Sequence, residues 1–143
     1  MSPIDRDVVR RKVERIRANL RHLEPFQSLT IKEYLADDVR RAAVERFLQV
    51  TVEAAVDINS HLLVETGLPA PDDQHSSFIS AGQHGIIDAD LAHQMAPSTG
   101  LRNRLVHEYD KIDDAKVLAS VGTALDLFPR YIAAVERFLA ANA

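Results

Sequence analysis

The sequence contains no cysteine. This absence excludes a disulfide scaffold, catalysis by a thiol and a zinc site with cysteine ligands. It is compatible with a reducing compartment, and we expect a cytoplasmic protein. No stretch approaches the roughly 18 apolar residues that a membrane-spanning helix needs. The N-terminal segment also lacks the long apolar run of a signal peptide, so we predict no membrane association.

Glycine and proline are scarce, with five and six residues in a chain of 143. No alternating stretch of the β type stands out, so the pattern predicts helices nearly throughout. The first helix should end near Pro25, because the residue before a proline is pushed out of helical geometry. The later helices are predicted over roughly residues 38–65, 74–84, 88–95, 98 onward and 113–140. We predict one all-α domain, residues 1–143, built as a bundle of four to five main helices.

Two local features of this pattern are specific enough to check. The helix predicted near residue 98 follows Pro97, and either Ser98 or Thr99 is expected to cap its N-terminus. The long helix should bury one apolar stripe with a spacing of three or four residues. The members of that stripe are Val39, Ala43, Phe47, Val50, Ala54, Ile58 and Leu62.

Basic residues are missing from the middle of the chain. Residues 47–101 contain seven acidic residues and no Lys or Arg, whereas residues 1–24 carry seven basic and four acidic residues. The net charge of the whole chain is −4. Such an asymmetry can position a polyanion or a charged protein. The alternative is that the N-terminal helix simply presents an ordinary solvated charged face.

The segment LRNRLVHEYD, residues 101–110, concentrates side chains that can act on a phosphodiester. Histidine suits proton transfer because its ordinary pKa lies near neutrality. Arginine suits phosphate because its planar fork donates two hydrogen bonds and stays charged. Asparagine can orient an imidazole, and tyrosine can donate a hydrogen bond, stack on a base or attack a nucleotide. The alternative is a solvated helix surface with an exposed Arg104–Glu108 pair.

The spacing within this segment restricts how the groups can meet. A helix turns about 100° per residue, so Arg102 and Tyr109, seven residues apart, share a face. Arg102 and His107 are five residues apart, which separates them by roughly 140°. They converge on one target only if the helix ends near His107 or if the target is reached from two sides. A two-fold dimer axis beside the helix would also bring such groups together.

Three polar residues form a ridge on the predicted long helix. Glu53, Asp57 and His61 follow one another at intervals of four. Either acid could face the segment 101–110 and orient Arg102 or His107, or the ridge could be solvated. The remaining histidines show no spacing that would anchor zinc, and no Gly-rich phosphate loop is present. We predict neither a metal nor a cofactor.

The string RNRLVHEYD resembles the R-x4-6-H motif of the HEPN superfamily, in the R-x4-H-x-Y form of HepT-like toxins. Arg102, Asn103, His107 and Tyr109 occupy the motif positions. The segments FLQVTVEAAVDINSHLLVETG and HGIID, and the position of the motif before a final long helix, extend the resemblance over nearly the whole chain.

This resemblance implies an all-α homodimer and a metal-independent endoribonuclease that acts on tRNA or mRNA. Arg102 and His107 would be its catalytic pair, with support from Asn103. HepT-like toxins are paired with a minimal nucleotidyltransferase antitoxin, MntA, which transfers AMP to the motif tyrosine, here Tyr109. The alternative is a non-catalytic helical dimer that regulates a nucleotidyltransferase or presents substrate to it.

Overall fold

Helices occupy most of the residues that the computed structural model describes, which are residues 4–108, 110 and 112–142. None of these residues lies in a β-strand, and no helix among them is long and apolar enough to cross a membrane. The helices are α1 (Arg6–Leu23), α2 (Ile31–Leu35), α3 (Asp38–Glu65), α4 (Gln74–Gln83), α5 (Ala89–Met95), α6 (Ser98–His107) and α7 (Asp114–Ala141). Five of them have ten residues or more, which confirms the predicted all-α bundle of four to five main helices.

Polar residues at the chain's turns explain where several helices begin. Asp5, Asp37 and Asp113 accept backbone hydrogen bonds at the N-termini of α1, α3 and α7. Each satisfies amides that have no partner within the helix. The first helix ends at Leu23, and Pro25 lies in a short 3-10 turn that follows it. The predicted end near Pro25 is therefore confirmed.

The predicted N-cap of α6 is wrong. Pro97 occupies the N-cap position, and no side chain caps this end of the helix. Instead, the hydroxyl of Ser98 donates to the carbonyl of Met95 at 2.6 Å, and that of Thr99 donates to the carbonyl of Ala96 at 2.8 Å. Both hydroxyls thus serve the C-terminal end of α5, because the backbone stays helical through Pro97 between the two helices.

The long helix α3 forms the centre of the bundle and packs against α1, α4 and α6. Its predicted stripe is only partly correct: Ala54, Ile58 and Leu62 are buried, but Val39 is 79% exposed. Because neighbouring helices cover α3 on several sides, its buried surface is wider than one stripe and is displaced from the predicted one. The buried residues of α3 are Val44, Leu48, Thr51, Val52, Ala54, Ala55, Val56, Ile58, Asn59, Leu62 and Leu63.

A buried polar network joins α3, α4 and α7. The Tyr131 hydroxyl lies 2.6 Å from Oδ1 of Asn59 and 3.0 Å from the carbonyl oxygen of Ala55. The amide nitrogen of Asn59 donates to Oγ of Ser77 at 3.3 Å, and the Ser77 hydroxyl donates to the carbonyl of Gln74. Since buried polar groups are costly without partners, this network fixes how the three helices align.

Candidate active site

Helix α6 carries the segment 101–107 across one side of α3. On α6, Thr99 and Leu105 are buried and Leu101 is partly buried, whereas Val106 is 37% exposed. The helix ends at His107, and the backbone leaves helical geometry at Glu108, with φ −127° and ψ 49°. One of the two conditions for Arg102 and His107 to approach a common target is therefore met.

Arg102 is anchored by a carboxylate of α3. Its Nε and Nη2 donate to Oε2 of Glu53 at 3.0 and 2.7 Å, and its Nη1 donates to Oδ1 of Asn103 at 3.3 Å. Only 17% of the Arg102 side chain is exposed. A guanidinium has five N–H donors. Within the described part of the chain, these contacts use three of them and leave two for a phosphate.

Within the described residues, the other two members of the polar ridge on α3 form no hydrogen bond or ion pair with α6. Asp57 is exposed and accepts a hydrogen bond from Nζ of Lys12 on α1 at 3.1 Å. Nε2 of His61 lies 3.8 Å from Oε1 of Glu65, one turn further along α3. Of the two acids proposed to orient the motif, the structure thus places Glu53, and not Asp57, against Arg102.

His107 occupies the last position of α6 with an exposed side chain. Within the described part of the chain, its imidazole makes no hydrogen bond or ion pair. It lies about 7.5 Å beyond Arg102 along the helix axis, given a rise of about 1.5 Å per residue. The prediction that Arg102 and Tyr109 share a face of one helix is wrong, because α6 ends at His107. Tyr109 itself, the predicted site of AMPylation, lies outside the described residues.

A polar groove between α1 and α3 adjoins this arrangement. Its volume is about 540 Å³. Its lining includes Arg11, Lys12, Arg15, Arg46 and Glu53, the same Glu53 that holds Arg102. The excess of basic residues over 1–24 pointed to the α1 side of this groove but not to Arg46. The charge pattern contained a signal for it, because Arg46 is the last basic residue before the stretch 47–101.

The family model described as "Ribonuclease HepT-like" matches residues 16–135 of this chain, well over half of its length. The chain belongs to the HepT-like ribonuclease family. The resemblance predicted from the motif is therefore confirmed. So is the predicted class of protein, a HepT-like ribonuclease.

Named relatives of this HepT-like chain are nucleases. The tRNA nuclease HepT of Aphanizomenon flos-aquae is 36% identical over 139 residues, which cover 97% of this chain and 95% of the relative. The mRNA nuclease HepT of Shewanella oneidensis is 29% identical over 89 residues, covering 62% of this chain and 67% of the relative. The two names specify different RNA classes, so membership of the family does not by itself decide the substrate.

Solved structures confirm the fold of the HepT-like chain. A tri-AMPylated HEPN toxin of Shewanella oneidensis, in complex with an MNT antitoxin, superimposes with a TM-score of 0.83 at 24% identity. The superposition covers 92% of this chain and 98% of that toxin. At this level of identity, the likeness establishes the HEPN-type architecture.

Proposed function

We propose that this HepT-like chain cleaves RNA without a metal ion at α6, with Arg102 and His107 as the catalytic pair. The observation that carries the proposal is the anchored guanidinium of Arg102. Glu53 and Asn103 engage three of its donors, and two donors remain on the helix that ends at His107.

In the proposed reaction, the 2′-oxygen of a ribose attacks the adjacent phosphorus and the 5′-oxygen of the next nucleotide leaves. The attacking hydroxyl gives up a proton and the leaving oxygen gains one, and His107 is placed to carry out such a transfer. The free N–H groups of Arg102 stabilise the extra negative charge on the phosphorane. A homodimer would present two copies of His107 to one cleft, so one could act as the base and the other as the acid.

Incubation of the purified chain with tRNA and with mRNA in the presence of EDTA tests this proposal. We expect cleavage to persist in EDTA and to disappear in Arg102→Ala. The 36% identical relative is a tRNA nuclease, so tRNA is the favoured substrate. An absence of cleavage with either RNA, in a chain that still binds its partner nucleotidyltransferase, would instead support the non-catalytic alternative.

The partner that we propose is an MntA-like nucleotidyltransferase antitoxin that silences the ribonuclease by transferring AMP to Tyr109. The HEPN toxin of Shewanella oneidensis described above is AMPylated and bound to an MNT antitoxin. This chain has three tyrosines, and two of them, Tyr34 and Tyr131, are fully buried. Neither buried hydroxyl is open to a modifying enzyme. An adenylate two residues from His107 would add bulk and negative charge next to the catalytic histidine and so compete with RNA.

We expect mass spectrometry to detect AMP on Tyr109 after incubation with the cognate antitoxin and ATP. Tyr109→Phe should escape both the modification and the loss of ribonuclease activity. Tyr34→Phe is the matched control. Because Tyr34 is buried and is not the expected target, this variant should still be modified on Tyr109. An adenylate located on any residue other than Tyr109 would overturn the proposed switch.

Glu53 is the residue that we expect to position Arg102. Glu53→Gln removes the charge that fixes the guanidinium and should lower kcat by roughly 10- to 100-fold, since small misplacements of a catalytic group cost about that much. KM should not rise, because the substitution also removes a negative charge beside the RNA. Steady-state kinetics measure this division between kcat and KM.

Glu65→Gln provides the matched control for Glu53→Gln. It removes a carboxylate from the same helix, but that carboxylate lies beside His61 rather than Arg102. We expect kcat to be unchanged in this variant. Equal losses of kcat in the two variants would show that Glu53 has no specific role in positioning Arg102.

A further inference from the structure

Three arginines in the groove between α1 and α3 lack an acidic partner. Arg11, Arg15 and Arg46 are exposed and form no ion pair within the described part of the chain. Lys12, in the same groove, is paired with Asp57 at 3.1 Å. Elsewhere in the chain, six arginines have a carboxylate within 4 Å, which are Arg10, Arg17, Arg40, Arg41, Arg102 and Arg130. Four further arginines, Arg6, Arg21, Arg104 and Arg137, form no ion pair within the described residues, but they do not line the groove.

The charge of this groove is opposite in sign to that of the whole molecule. Its lining contains four basic and two acidic side chains, whereas the chain carries a net charge of −4. The unpaired arginines repel one another in the free protein, and a bound polyanion would relieve that repulsion. A groove lined by one sign of charge also concentrates ligands of the opposite sign.

The groove and the proposed catalytic arginine share one side chain, Glu53. Glu53 forms part of the lining of the groove, and Oε2 of the same side chain accepts the hydrogen bonds from Arg102. One carboxylate therefore separates the three unpaired arginines from the guanidinium that would hold the scissile phosphate. A strand of RNA placed at Arg102 has this basic groove beside it.

The residue types in the groove fit phosphates rather than bases. None of the described residues that line it is aromatic, so it offers no ring on which a base could stack. Arg11 and Arg15 lie one turn apart on α1, about 6 Å along the helix axis, and Arg46 faces them from α3. Each guanidinium can donate two hydrogen bonds to one phosphate.

We propose that Arg11, Arg15 and Arg46 bind the sugar–phosphate backbone of the RNA substrate next to the scissile phosphate, without regard to base sequence. This inference rests on the proposed ribonuclease site at Arg102 and His107, and it assigns the groove as the adjoining RNA-binding surface. An acidic face of the antitoxin is the competing occupant. RNA is favoured because Glu53, which lines the groove, also anchors the arginine at which RNA would be cut.

The test compares two triple variants that lose the same charge. Arg11→Gln/Arg15→Gln/Arg46→Gln neutralises the groove. Arg10→Gln/Arg40→Gln/Arg130→Gln neutralises three exposed arginines that have carboxylate partners and do not line it. Binding of labelled single-stranded RNA, of mixed sequence and of poly-uridine, is measured by fluorescence anisotropy over a range of salt concentrations. Both variants carry His107→Ala, which prevents cleavage.

We expect the groove variant to bind both RNAs roughly tenfold more weakly near physiological salt, and its plot of log affinity against log salt to be shallower by about 2. This difference in slope corresponds to three lost phosphate contacts on a single strand, at about 0.7 for each contact. The control variant should bind as its parent does. With His107 restored, the groove variant should show a higher KM and an unchanged kcat.

Two results would overturn the assignment. One is an equal loss of RNA affinity in the two triple variants, which would trace the effect to net charge alone. The other is unchanged RNA binding with weakened binding of the antitoxin, which would assign the groove to the protein partner. A failure of the proposed ribonuclease reaction can be distinguished from both of these results. In that case the wild type would cut no RNA, while the groove variant would still bind RNA less well than the control.

Discussion

Replacement of His107 by alanine should lower RNA cleavage by about 10²- to 10⁴-fold, the range that general acid–base catalysis contributes. The side chain is exposed at the end of α6 and makes no contact with the described residues that would hold the fold together. We therefore expect the thermal unfolding midpoint of His107→Ala to match that of the wild type. Single-turnover cleavage of a labelled tRNA measures the loss directly.

His93→Ala is the matched control for this substitution. His93 is also an exposed histidine near the end of a helix, but it lies on α5, outside the motif. Its removal should leave the cleavage rate unchanged. A His107→Ala protein that cuts RNA at the wild-type rate would contradict the catalytic assignment.

Replacement of Tyr131 by alanine should destabilise the fold by about 3–5 kcal/mol, as expected when a fully buried aromatic residue is truncated. The ring is fully buried and packs edge-on against Phe78 and Phe128. Tyr131→Phe retains the ring and loses only the hydroxyl. This leaves the buried Oδ1 of Asn59 without its donor and should cost about 1–3 kcal/mol. Urea unfolding of the two variants separates the contribution of packing from that of the hydroxyl.

The same hydroxyl should make stability depend on alkaline pH. Burial raises the pKa of Tyr131 above its usual value, so the folded state holds this proton at a pH where the unfolded chain has begun to lose it. The stabilisation is fully present below pH ~10 and is lost as pH rises beyond it. Tyr131→Phe should therefore lose less stability than the wild type between neutral and strongly alkaline pH. Parallel declines in the two proteins would exclude a contribution from Tyr131.

Local sequence signals predicted the elements of this fold well. The bounds of α3 match the prediction because both ends have local causes. The Asp37 side chain caps the first turn, and Gly67, with a φ of 87°, takes up a left-handed conformation just after the last one. The start of α6 was predicted incorrectly because Ser98 has the residue type of a cap, although its hydroxyl bonds to the preceding helix.

The partners of the site residues depended on tertiary packing and could not be predicted. Glu53 and Asp57 lie one turn apart on the same ridge, so the sequence alone predicts a contact with Arg102 equally for both. The packing of α6 and α1 against α3 brings Glu53 to Arg102 and Asp57 to Lys12. For the same reason, Arg46 joins the arginines of α1 only once the two helices are packed together.

The direction of α6 has a consequence for the electrostatics of the proposed site. Aligned peptide dipoles place partial negative charge at the C-terminal end of a helix, and His107 occupies that end. A phosphate bound there approaches carbonyl oxygens rather than amide groups, so the backbone field opposes it. The N-terminal end of α6 does not offer these amide donors to a phosphate instead. Pro97 has no amide hydrogen, and the amides of Thr99 and Gly100 already donate to carbonyls. Attraction of an anion to the C-terminal end of α6 must therefore come from side chains such as Arg102.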